Sequence, residues 1–228
     1  MDLVKRNLRY WSRTTLYNLM QTVLVSLVLV FFFVTGKSDF SGTEGILETS
    51  AALYPYYLIL TGALVIMSVT TAFFQTYFFI FISLNSSRRG AVLGVMASTG
   101  GVILVIVTIG WVLWNLVPGE ISESGRTLLP LITGALLAVG AAAISMGAVN
   151  ARWGKKGVIV TVLLSMVLGG TLGLTIAMGA DGIGGLLRKM MLSFAGIERY
   201  IVLLAGAVLY IAAGIFAMTI TRKLEVRR

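Results

Sequence analysis

Histidine and cysteine are both absent from this chain, and each absence removes a class of chemistry. Without cysteine there is no disulfide framework, no thiolate nucleophile and no cysteine-based metal site. Without histidine, the imidazole that intramembrane serine proteases, histidine-nucleophile phosphatases, haem-bearing helices and most transition-metal transporters rely on is missing. Proline occurs three times in 228 residues, and charged residues make up only 12%, about half the share of a soluble domain. What is present is apolar: 57% of the residues are hydrophobic and the mean hydropathy is +0.94. Runs of about 20 apolar residues recur, each long enough to cross a hydrocarbon core of roughly 30 Å as a helix. Backbone polar groups find no water there, so helices that satisfy their own hydrogen bonds are expected. The expected fold is all-α, a polytopic membrane protein with one transmembrane domain over residues 1–228.

Apolar runs set against charged interruptions predict six spans, near 15–35, 54–82, 91–117, 128–149, 157–179 and 199–221. The second would be roughly 43 Å long at 1.5 Å per residue, so it is expected to tilt or protrude. Basic residues mark cytoplasmic segments. Lys5, Arg6, Arg9 and Arg13 precede the first span, Arg88 and Arg89 follow the second, and Arg152, Lys155 and Lys156 follow the fourth. Arg222, Lys223, Arg227 and Arg228 close the chain, which puts thirteen of the 18 basic residues on one side. The other gaps hold most of the acids. Six spans with both termini in the cytoplasm satisfy every gap, and the net charge of +9 needs no nucleic-acid partner. The N-terminal region does not read as a cleavable signal peptide, because its apolar run is long enough to span and no small-x-small site follows. Pro55, Pro118 and Pro130 fall at predicted outer ends, where a missing N–H costs least. Gly36-Lys37-Ser38 lacks the upstream glycine of a phosphate-binding loop, and the Asn85-Ser86-Ser87 acceptor pattern faces the wrong side for glycosylation.

No Asp, Glu, Lys or Arg lies in the interior of a predicted span. Proton- and ion-coupled carriers usually hold such a group there, so energy for active transport is expected from another subunit. Neither paired carboxylates nor a nucleophile–base pair is available, so the chain is not expected to be an enzyme. Small residues are plentiful instead: Gly134, Gly140, Ala141, Ala143 and Gly147 in the fourth span, Gly169, Gly170 and Gly173 in the fifth. They allow close helix approach, as static packing or as a moving seam. Thr71 and Gln75 share a face of the second span at four-residue spacing. With Ser98 and Thr99 on the third, they are candidates for a substrate path or for interhelical hydrogen bonds. Phe73, Phe74, Tyr77, Phe78, Phe79 and Phe81 crowd the inner end of the second span, as a lipid-facing belt or as a lining for an apolar ligand.

Two pieces outside the spans are amphipathic. Residues 3–13 put Val4, Leu8 and Trp11 on one helical face and Lys5, Arg9 and Arg13 on another, which fits a helix at the membrane surface or a plain cytoplasmic flank. The connection between the fifth and sixth spans carries Leu186, Leu187, Met190, Met191, Leu192 and Phe194 after Gly182, Gly184 and Gly185. An interfacial or re-entrant helix is expected there.

In order, a surface helix, six spans, a polar basic loop after the second and a partly re-entrant stretch after the fifth resemble the permeases of ABC exporters of the ABC-2 type. The likeness extends over the whole chain. Asn85-Ser86-Ser87-Arg88-Arg89 is similar to a Gly-Ser-Thr-Arg-Lys-like stretch of small bacterial members, and Arg152-Trp153-Gly154-Lys155-Lys156-Gly157 to an Arg-Phe-Gly-Lys-Lys-Gly-like one; Thr221-Arg222-Lys223 also looks familial. The chain departs in having Asn85 where glycine is usual and no acid after the arginines. The resemblance implies a multi-pass subunit of the bacterial plasma membrane that pairs with a second permease subunit, as homo- or heterodimer. It implies a separate cytoplasmic ABC ATPase docking on loop 83–90, which uses the ATP; this chain binds no cofactor of its own.

The leading expectation is therefore a permease exporting an apolar or amphipathic substrate, such as a peptide, drug or lipid. A non-transport anchor, assembly or sensor subunit is a second class, and the substrate-binding membrane subunit of a vitamin importer a third. Stable association with an ATPase marks the first, and tight small-ligand binding without one marks the third.

Overall fold

A computed structural model describes residues 2–35, 43–83, 87–117, 120–163 and 198–222. Apart from short turns these residues are helical: α1 (Asp2–Thr35), α2 (Thr43–Ala72), a π-helical turn (Phe73–Tyr77), α3 (Phe78–Ser83), α4 (Arg88–Leu116), α5 (Glu120–Trp153), α6 (155–163) and α7 (Glu198–Thr221). Five stretches, Arg13–Phe32, Leu53–Ile80, Arg88–Leu116, Ser122–Trp153 and Arg199–Thr221, are long and apolar enough to cross a bilayer, and they fit a multi-pass membrane protein. The predicted fifth span is described only to 163. Its remainder with Gly169, Gly170 and Gly173, the 180–197 connection, Asn85 and Ser86 lie outside the described residues.

Two expectations about helix ends change. Residues 3–13 form no helix of their own but continue unbroken into the first span, since no glycine or proline interrupts residues 2–35. Pro55 and Pro130 stand inside α2 and α5 rather than at their ends. Backbone hydrogen bonding runs on past the apolar runs, so α5 reaches 34 residues, roughly 51 Å.

The outside of the bundle is apolar and much of its inside is not. Leu16, Phe32, Leu104, Leu204 and Val208 are exposed, while Asn18, Thr22, Ser26, Thr61, Thr70 and Asn150 are buried. In water this would leave large sticky patches. In lipid the exposed residues meet acyl chains, and the polar ones turn inward to find partners.

One core cluster joins Phe73, Phe74 and Phe78 to Val92, Val95, Ile144, Ala148 and Ala217. It links the close of the second span, the start of α4 and the last turns of α5 and α7, so these four ends lie together. A second cluster, Leu58, Ile66, Val102, Ile103, Ile106 and Leu136, lies further along the same helices. The tightest seam is between α5 and α7, where the backbones touch: a Cβ on Gly206 would strike the Gly134 carbonyl, and one on Gly134 the Val202 carbonyl. The small residues of the fourth span thus serve close packing.

Candidate functional site

The polar interior begins on α1, where Asn18, Thr22 and Ser26 recur every fourth residue and so share one face; all three are buried. Thr22 donates to the Asn18 carbonyl at 2.8 Å. Ser26 donates to the Tyr54 hydroxyl of α2 at 3.3 Å. A turn earlier, the Thr15 and Ser98 hydroxyls are 2.7 Å apart, joining α1 to α4. Thr70 and Thr99, both buried, pair at 3.1 Å across α2 and α4. These groups surround a cavity of about 20 Å³ lined by Asn18, Thr70, Ser98 and Thr99, with Val65 and Val102 among its apolar walls. That is room for one water molecule with several polar partners.

A third helix reaches the same level. The Tyr210 hydroxyl of α7 donates to the Met96 carbonyl of α4 at 2.6 Å. It passes over Gly140, where a Cβ would lie 2.9 Å from the Tyr210 ring and 3.3 Å from Thr99. A glycine at 140 is what lets the ring cross α5.

Of the four expected path residues, the structure brings Ser98 and Thr99 together but not Thr71 and Gln75. Thr71 donates to the Met67 carbonyl of its own helix at 2.7 Å, and Gln75 is exposed. The cause is the π turn, which holds one more residue than an α turn and rotates everything beyond it. Consecutive Phe73 and Phe74 both point inward, and the next buried position is Phe78. The aromatics therefore divide: Phe73, Phe74 and Phe78 form core, with rings 5.6–6.5 Å apart, while Tyr77 and Phe79 are exposed. Sequence reasoning passed over Thr15, Asn18 and Tyr210. The four-residue polar spacing on α1 was a readable signal for Asn18; nothing local marks Tyr210.

The second candidate region is the basic end. Ser87 is extended (ψ 141) and its Oγ accepts from the Gly90 N–H at 3.1 Å, capping α4. Arg88 Nη1 donates to the Arg222 carbonyl at 2.7 Å, at the C-terminal end of α7 where carbonyls lack helical partners. Arg89 is exposed. The expected pair of docking arginines thus separates into one that ties two helices together and one that faces out. Arg152, Lys155 and Lys156 are exposed at the same end of the bundle, around the turn at Gly154.

At the opposite end Trp114 is fully buried beside Gly125, 5.0 Å from the Tyr56 ring, and its Nε1 has no hydrogen-bond partner; neither has buried Ser122 Oγ. Among the described residues no cluster of acidic side chains could hold a metal ion. The chain matches no protein-family model, no curated protein and no solved structure.

Proposed function

We propose that this chain is the membrane-spanning permease subunit of an ATP-driven ABC transporter. It exports an apolar or amphipathic substrate, pairs with a second permease chain and is energised by a separate ATPase docking on residues 83–90. The observation that carries this reading is the corner at Ser87–Arg89. A site that takes force from a soluble motor must be stiff, and it must pass displacement to more than one helix. Ser87 ends α4 in a cap and Arg88 fixes that end to α7, while α7 is seated on α5 backbone to backbone. A push at this corner therefore reaches three helices. Arg89, exposed, is left as the charge that meets acids on the ATPase. The polar seam offers a route for movement, because one hydroxyl pair is readily exchanged for another when helices slide.

The test is purification of the chain from its native membranes in mild detergent. The expected result is a nucleotide-binding subunit in fixed ratio and ATP hydrolysis stimulated by the substrate, with Arg89→Glu abolishing the stimulation while both subunits remain folded. A chain that repeatedly purifies without a nucleotide-binding subunit would overturn the reading.

A further inference from the structure

The turn after α5 is built more firmly than a connection requires. Gly154 adopts φ 56, a left-handed conformation natural to glycine. Its N–H donates to the Asn150 carbonyl at 2.9 Å, closing α5, and its own carbonyl accepts from Val158 N–H at 3.1 Å, opening α6. Asn150 is buried and its Oδ1 accepts from the Thr161 hydroxyl at 2.8 Å. Gly157 is buried so closely that a Cβ would lie 2.8 Å from the Val149 carbonyl. The inner face of the turn is thereby locked against α5.

Its outer face has a different character. Arg152, Lys155 and Lys156 are exposed within five positions, and no acid occurs between 150 and 163. Glu123 and Glu198 belong to the opposite end of the bundle. Three like charges held on a rigid turn repel each other and favour an anion among them. Trp153, 53% exposed, stands between them at the end of an apolar span, the level that tryptophan favours beside lipid headgroups. Directly beyond, α6 exposes Ile159, Val162 and Leu163.

We propose that the turn at 152–156 is a binding site for one anionic phospholipid, with Arg152, Lys155 and Lys156 holding the phosphate, Trp153 at the glycerol level and the outer face of α6 along an acyl chain. A soluble acidic protein would match the three charges but would leave the tryptophan and the aliphatic ridge without a role. A zwitterionic lipid would match the ridge but would bring its own cation to a cationic turn. Arginine grips phosphate through its planar fork, and the lysines reach it along their stems. This site does not depend on the transport reading.

The experiment uses the full chain in nanodiscs of mixed phosphatidylglycerol and phosphatidylcholine. Lipid retained after detergent extraction is counted by native mass spectrometry. The wild-type chain is expected to retain phosphatidylglycerol preferentially. With anionic lipid attraction contributing at each basic residue, Arg152→Gln/Lys155→Gln/Lys156→Gln should cut that retention by about tenfold or more, while Arg89→Gln leaves it unchanged. Brominated phosphatidylglycerol should quench wild-type fluorescence more than that of Trp153→Phe, which isolates one of the four tryptophans. If the triple variant fails to assemble, Lys156→Gln alone should still show a severalfold loss. Undiminished retention in the charge variants, or equal quenching of Trp153 by brominated phosphatidylcholine, overturns the proposal. So does loss of ATPase association with retention intact, which would make the turn a protein-docking surface.

Discussion

The seam between α5 and α7 allows a sharp test of the packing. Replacing Gly134 with alanine adds one methyl, which would lie 2.5 Å from the Val202 carbonyl oxygen, 2.7 Å from its carbon and 2.9 Å from Leu203 Cα. Heavy atoms settle at about 3.5 Å or more, and all three obstacles are backbone, so no rotamer change relieves the overlap. The helices must part by roughly 1 Å, and a gap of that size forfeits up to about half of each dispersion contact along the seam. In lipid, dispersion is much of what holds helices together. Overpacking of this kind costs about 1–3 kcal/mol. Gly100 supplies the control, because a Cβ there would lie 3.6 Å from the Tyr210 hydroxyl, an ordinary contact. Gly100→Ala should therefore be neutral or slightly stabilising through its lower backbone entropy cost. Unfolding of the purified protein in mixed micelles by a denaturing detergent, followed by circular dichroism, gives both values. Gly134→Ala as stable as Gly100→Ala would refute the backbone contact and with it the stiffness of the α5–α7 pair.

Three further outcomes follow from individual contacts. Thr70→Val and Thr99→Val should each destabilise by about 1 kcal/mol, and the double variant should cost less than the sum, with a coupling near 0.6 kcal/mol in the same unfolding assay. Arg88→Gln should leave global stability within about 1 kcal/mol, since the group is partly exposed, but amide exchange over the last turn of α7 should accelerate as its carbonyl loses a charged donor. Gly154→Ala should cost about 1–2 kcal/mol, because the φ of 56 is held against a Cβ with nothing gained in return. The thermal melt should fall accordingly, and an unchanged melt would show that the turn adopts another conformation.

The membrane class and the basic end were both readable in the residues, because they follow from local sums. Twenty apolar residues lower the free energy of insertion whatever their neighbours are, and a cluster such as Arg152, Lys155 and Lys156 stays out of the hydrocarbon for the same reason. Helix ends were less readable. Thr43–Leu53 continues α2 upstream of its apolar run, since a helix needs satisfied backbone groups and not greasy side chains. Thr71 and Gln75 were misjudged through one structural event, the π turn at Phe73–Tyr77. Its cause is the packing of Phe73, Phe74 and Phe78 against α4 and α5, which the helical period of α2 alone cannot express.

By itself, the sequence determined that this is a helical membrane protein with several spans, a basic end, and neither thiol nor imidazole chemistry. Those properties depend on which residues occur and how far apart they stand along the chain. Only the tertiary structure decided that Thr70 meets Thr99, that Tyr210 passes over Gly140 to reach α4, and that Arg88 closes the end of α7. Each of those contacts joins helices far apart in sequence, and its existence rests on where a distant backbone runs to within an ångström.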